Sequence, residues 1–138
     1  MSDTVKLLNR ARSISGDAVT AFELIPRIGM EMCTKHIDGV SDPFAEAHDW
    51  YVLIELATSR PDAGVRPSFE ALLETAFEDG IIADAVVAES VQQSRALWKI
   101  RESLPEAQKH EGGSIKHDVS VPVSRVPEFV TKGMEIVA

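Results

Sequence analysis

Cysteine is almost absent from this 138-residue chain, with Cys33 the single one. That excludes an intramolecular disulfide framework and a zinc site built on several thiolates. A reducing, cytoplasmic setting is the expectation that follows. Positive charge is short as well: 14 Lys and Arg stand against 22 Asp and Glu, a formal net charge of −8. This argues against nucleic acid and anionic membranes as partners, because both select Lys/Arg-rich faces. The acids are scattered rather than run together, so they serve solubility. Long apolar runs are missing too, and nothing approaches the ~20 consecutive residues of a membrane span. Also lacking are a GxGxxG turn, a GxxxxGK[ST] phosphate loop, a GxSxG elbow and an HExxH pair.

What remains suffices for one domain. Hydrophobic residues make up 44% of the chain, and domains cluster at roughly 100–150 residues. No repeat, low-complexity tract or linker divides it. The start, MSDTVKLLNRAR, enters helical material directly. The last residues, GMEIVA, break off within an apolar periodic run, so a piece of a longer polypeptide is expected.

Apolar periodicity switches between about 3.6 and 2 along the chain. Val5, Leu8, Ala11 and Arg12 fall on one helical face, with Gly16 as the stop. Val19–Ile25 reads as a strand, and Pro26 opens a second helix carrying Ile28, Met32 and His36. Asp38–Asp49 and Ser59–Pro67 read as loops. Trp50–Thr58 is the strongest strand. Phe69, Leu72, Leu73, Ala76 and Phe77 define a third helix, ended by Gly80. Ile81–Ala88 is a further strand candidate. Ser90 and Gln93 open a long helix through about Gln108 as a capping box. Ser114–Val121 alternates apolar and polar residues as a strand does. Ser124 caps a last helix marked by Val126, Phe129, Val130, Met134 and Val137. The count is four strands and five helices, and simple alternation favours a parallel α/β sheet.

Few residues could carry chemistry. His36, His48, His110 and His117 show no close ligand pairing, so no metal site is expected. Cys33 lacks a basic neighbourhood and is expected to pack rather than react. Arg101 differs. On the fourth helix, Val91, Ser94, Leu97, Trp98 and Leu104 mark the inward stripe, and Arg101 shares it. A guanidinium on a packed face needs an anionic partner. One reading is a structural ion pair with a strand carboxylate, Glu23 or Glu55. The other is a bidentate clamp for a substrate carboxylate. Lys116 shares a strand face with Asp118 and Ser120, either a solvated face or one turned toward a ligand or another domain. Pro105, inside the predicted helix, should kink or break it. On residue patterns alone, a stand-alone acidic α+β binding module stays open.

The run LWKIRE, then PEAQKHEGG, then IKHDVSVPVSRVPEF, resembles the C-terminal half of FAD-linked oxidases. These are the D-lactate, D-2-hydroxyglutarate and glycolate dehydrogenases of the vanillyl-alcohol oxidase superfamily. AFEL at Ala21–Leu24, WYVLIEL at Trp50–Leu56 and DAVVAES at Asp84–Ser90 follow in the order that family uses. The resemblance implies a ferredoxin-like α+β fold, with helices packed on a mainly antiparallel sheet. It sets aside the parallel expectation. Residues 1–138 would then be a truncated part of the substrate or cap domain, lacking both the FAD-binding domain and the C-terminal catalytic segment.

The resemblance further implies that Arg101 contacts a substrate carboxylate, that Lys116 assists it, and that no catalytic base lies within these residues. Where the 2-hydroxyglutarate enzymes carry a substrate-touching threonine, this chain has Pro105, which leaves lactate-like and longer D-2-hydroxy acids equally open. FAD is the implied cofactor, held mainly by the domain not included. Any divalent metal would rest on downstream histidines, also not included. The implied partners are the FAD-binding domain of the same polypeptide, a small 2-hydroxy acid and a second copy in a homodimer. The isolated chain is expected to be inactive.

Overall fold

A computed structural model of the chain describes residues 2–59 and 64–137. Its centre is an antiparallel pair, β1 (Val19–Pro26) and β2 (Trp50–Leu56), with Ile25 opposite Tyr51 and Glu23 opposite Leu53. A register irregularity between Val19 and Ala21 puts the Thr20 hydroxyl beside Glu55, where it donates to Oε1 at 2.9 Å.

Side chains alternate across a strand, so the pair has two apolar faces. Both are covered. On one, Phe22, Val52 and Ile54 pack with Leu7 and Ala11 of α1 (Ser2–Ser15) and Leu72 and Ala76 of α3 (Val65–Glu78). On the other, Ile25 and Tyr51 pack with Met30 and Cys33 of α2 (Arg27–His36) and Ile100 and Ala107 of α4 (Val91–Ala107). α2 and α4 approach closely because position 29 has no side chain: a Cβ there would stand 2.9 Å from Cδ2 of Leu104.

Local signals explain the helix ends. α1 stops at Gly16, in the left-handed region at φ 61°, where the Asp17 amide closes on the Arg12 carbonyl at 3.0 Å. Its buried stripe is Leu7 and Ala11, so Leu8 lies off the innermost line that the sequence placed it on. Pro26 precedes α2 as expected. α3 buries Leu72 and Ala76, whereas Phe77 stays exposed. At α4 the Ser90 hydroxyl accepts from the Gln93 amide, while the Gln93 side chain takes the Glu89 amide. The result is a capping box displaced outward by one residue.

The α+β class and the antiparallel pairing agree with expectation, but the strand count does not. Among the described residues only β1 and β2 form a sheet. Ile81–Ala88 is extended but unpaired. Its first amides, of Ile81 and Ile82, bond to the Ala76 carbonyl and so finish α3 instead of a ladder. Residues 114–121 are also extended, exposed up to Ser120 and without a partner edge, which a strand requires. Pro105 neither kinks nor breaks α4 at its own position. It sits in the last turn, where few later hydrogen bonds depend on it. The chain then tightens into a 3₁₀ turn over Gln108–Glu111. Ser124 caps nothing, for it lies within a 3₁₀ turn, Val123–Arg125, and α5 (Val126–Val137) starts behind it. The loop expected over Ser59–Pro67 falls at 60–63 outside the described residues, and α3 begins within its remainder.

Candidate functional site

β1 and β2 each carry one acid toward α4, and α4 answers both. Glu23 and Glu55 share the sheet face of Ile25 and Tyr51 by strand alternation. Three residues apart on α4, Trp98 and Arg101 meet them. The Trp98 indole N–H donates to Glu55 Oε2 at 2.8 Å. Arg101 Nε donates to Glu23 Oε2 at 2.6 Å. Leu104, one turn on, packs against the Ile25 cluster. One α4 stripe therefore runs from polar to apolar along the sheet.

The structural ion pair thus exists, and with Glu23 rather than Glu55. It uses only Nε. Nη1 and Nη2 of Arg101 make no hydrogen bond among the described residues, and the side chain remains 39% exposed. An arginine held by its inner nitrogen and open at the outer two presents the fork that suits a carboxylate. The two readings of Arg101 are therefore compatible. Lys116 stands apart: it lies in the exposed extended segment and makes no hydrogen bond or ion pair among the described residues. No printed contact joins it to Arg101, so the pair is not assembled in this conformation.

A second feature is a cleft of about 680 Å³ beside β2. β2 and residues 81–88 both line it, with Phe69 and Leu73 from α3 and Leu97 and Trp98 from α4. Near its end, His48 turns Nε2 inward without a hydrogen bond, 3.9 Å from Asp84 Oδ2. The neighbouring Tyr51 hydroxyl donates to Asp42 and accepts from the His48 amide. Burial pushes the Tyr51 hydroxyl above its ordinary range. Sequence reasoning assigned 38–49 to a loop and missed this network; the apolar Val40 and Phe44, which pack on the core, were the available signal. It also missed the Trp98–Glu55 bond, although Glu55 interrupts an apolar strand.

The remaining candidates behave as expected. Cys33 is buried and its thiol donates to the Ile100 carbonyl. No group of three His, Cys, Asp or Glu among the described residues could hold a metal ion. His36 instead pairs with Glu111 and stacks on His110.

The family model described as FAD linked oxidases, C-terminal domain, matches residues 1–138. The chain belongs to that family. Among its relatives is the mitochondrial D-2-hydroxyglutarate dehydrogenase of Arabidopsis thaliana, 34% identical over 125 residues, which are 91% of this chain and 22% of the relative. The D-2-hydroxyglutarate dehydrogenase of Xanthomonas citri pv. viticola is 35% identical over 112 residues, 81% of this chain and 23% of the relative. That of Danio rerio, also mitochondrial, is 30% identical over 119 residues, 86% and 22% of the two chains. The chain thus spans less than a quarter of the length of these relatives.

As an FAD-linked oxidase C-terminal domain, the chain has been tested for residues that suit FAD itself. A dinucleotide pyrophosphate needs convergent backbone N–H groups or free cations. Here Arg10, Arg12, Arg27, Arg66 and Arg101 each pair with an acid, and the cleft walls are largely aliphatic and aromatic. The described residues do not fit the group, and no flavin step is routed through them.

Proposed function

We propose that the complete protein is an FAD-dependent oxidoreductase that converts a D-2-hydroxy acid to its 2-oxo acid, and that this chain supplies part of the substrate-binding domain. The observation that carries this is the family match over the whole chain, joined to an arginine whose outer nitrogens are open. Bound FAD, held mainly by the other domain of the same polypeptide, supplies the hydride acceptor. Arg101 binds and orients the substrate carboxylate, Glu23 holds the guanidinium in place, and Lys116 adds the second cation. The base that takes the hydroxyl proton lies outside these residues, as does any divalent metal.

The substrate class follows from the arginine fork. A carboxylate is the anchor, and a D-2-hydroxy acid of the lactate or 2-hydroxyglutarate type fits the names of the relatives. Pro105 offers no hydroxyl or N–H, so nothing at that position of α4 selects for a second carboxylate. The test is flavin reduction by the complete protein against a panel of D- and L-2-hydroxy acids. Reduction by D-enantiomers of one chain length supports the reading. No reduction by any 2-hydroxy acid, in protein that binds FAD, sinks it. The 138 residues alone should neither retain FAD nor turn over. A cytoplasmic location and a homodimeric assembly complete the proposal, to be checked by fractionation and by light scattering of the complete protein.

A further inference from the structure

We infer that residues 114–121 form a further strand of this domain, seated in the cleft between β2 and residues 83–88, with Lys116 turned to the α4 side of the sheet. Three contacts orient the cleft walls. His48, just before β2, lies beside Asp84. Glu55, near the end of β2, bonds Trp98 in the first half of α4, and α4 begins directly after Glu89. Residues 84–89 therefore run parallel to β2, joined to it through α3 as a β-α-β crossover. Yet no backbone hydrogen bond links the two among the described residues. Paired strands lie about 4.8 Å apart; these two stand on a common cleft of about 680 Å³ bounded by α3 on one face and α4 on the other. The cleft is a gap in the sheet layer itself.

Topology names the segment that fills it. Crossovers between parallel strands are right-handed. α3 covers the face of Val52 and Ile54, and α4 covers the opposite face of Tyr51. If the step from β2 to 83–88 moves one way along the sheet, the step across α4 on the other face must move back. The segment after α4 thus returns toward β2 and meets the gap first. That segment is 114–121, which is already extended. Gly112, at φ 114°, and Gly113 just before it allow the swing that a residue with a Cβ would resist.

Its side chains suit both faces. Ile115 and Val119, now 88% and 65% exposed, would join Phe69, Ile54 and Ile82 on the α3 side. By alternation Lys116, Asp118 and Ser120 would face α4. There Lys116 meets the acidic side of the site, where Glu55 lines the cleft and Glu23 holds Arg101. This placement stands on the fold and the charges, independently of the proposed activity.

Hydrogen exchange of the complete protein, read by mass spectrometry, tests it. The expected result is exchange at 115–121 and at 83–88 slowed at least roughly tenfold relative to unstructured chain. Val119→Asp should release both segments together, whereas Ser120→Ala should release neither. Fast exchange at 115–121 in the wild type overturns the inference. So does protection of β2 and 83–88 with 115–121 free, which assigns the gap to another segment. Protection of 115–121 that vanishes on dilution overturns it too, since the strand would then pair with a second copy. The wild-type measurement decides even if Val119→Asp fails to fold.

Discussion

The Glu23 carboxylate takes its hydrogen bond from Nε of Arg101 at 2.6 Å, so the guanidinium is fixed while both terminal nitrogens stay outside the pair. Both side chains keep over a third of their surface exposed. As an exposed ion pair it contributes at most about 1 kcal/mol to folding. Its larger effect is positional, since a pre-set fork loses less freedom when it binds a carboxylate.

In the complete protein, Arg101→Lys should lower kcat/KM for the 2-hydroxy acid by roughly 100-fold, because removing one partner of a bidentate charge pair costs about 2–5 kcal/mol. Glu23→Ala should cost less, about tenfold, and mostly in KM. Glu23→Gln keeps an acceptor for Nε and should recover to within about threefold. Steady-state kinetics of the three variants checks this. Equal effects of Glu23→Ala and Glu23→Gln would show that Glu23 acts by charge rather than by position.

At Gly29 the α2–α4 contact leaves no room, with an added Cβ 2.9 Å from Leu104 Cδ2. The obstacle is the end of a side chain that can shift. Gly29→Ala should therefore destabilise by about 1 kcal/mol, at the low end for overpacking. In a Leu104→Val background the penalty should largely disappear. Denaturant midpoints of the four proteins in this cycle give the coupling.

Glu111 closes the 3₁₀ turn after α4 onto α2. The Lys35 ammonium and then the His36 ring hold its carboxyl down to about 2, from an ordinary 4.5. For a carboxylate depressed in the folded state, the stabilising contribution is complete above about pH 4.5 and is lost as pH falls toward 2. Carboxyl NMR titration of Glu111 should show the low value, and Lys35→Met should raise it. A midpoint near 4.5 in the wild type would contradict the pairing.

Burial raises the Cys33 thiol, whose Sγ sits among the apolar core with the Ile100 carbonyl as its partner. In the folded protein Cys33 should resist thiol reagents at neutral pH and react once denaturant is added. Rapid labelling of native protein would show that α2 and α4 separate readily.

Much of this was legible in the residues. Gly16 and Gly80 announced two helix ends, Leu72 and Ala76 marked the α3 face, and Ser90 with Gln93 marked the start of α4. Arg101 stood out because a cation on an apolar stripe demands a partner, and Glu23 was one of two acids that could provide it. The choice between Glu23 and Glu55 was not legible, because it depends on the register of β1 against β2 and on Trp98 taking the second acid. The strands at 81–88 and 114–121 illustrate a different limit. Alternation shows that a segment can be a strand, but pairing needs a neighbouring edge, and both segments border a gap in the sheet layer.

Flavin reduction in the complete protein, followed anaerobically after mixing with a D-2-hydroxy acid, tests the central claim most directly. Wild-type protein should reduce its flavin at a rate that saturates with substrate. Arg101→Lys, with FAD still bound, should need roughly 100-fold more substrate or fail to saturate. Unchanged saturation in Arg101→Lys would contradict the assignment of Arg101 to the substrate carboxylate.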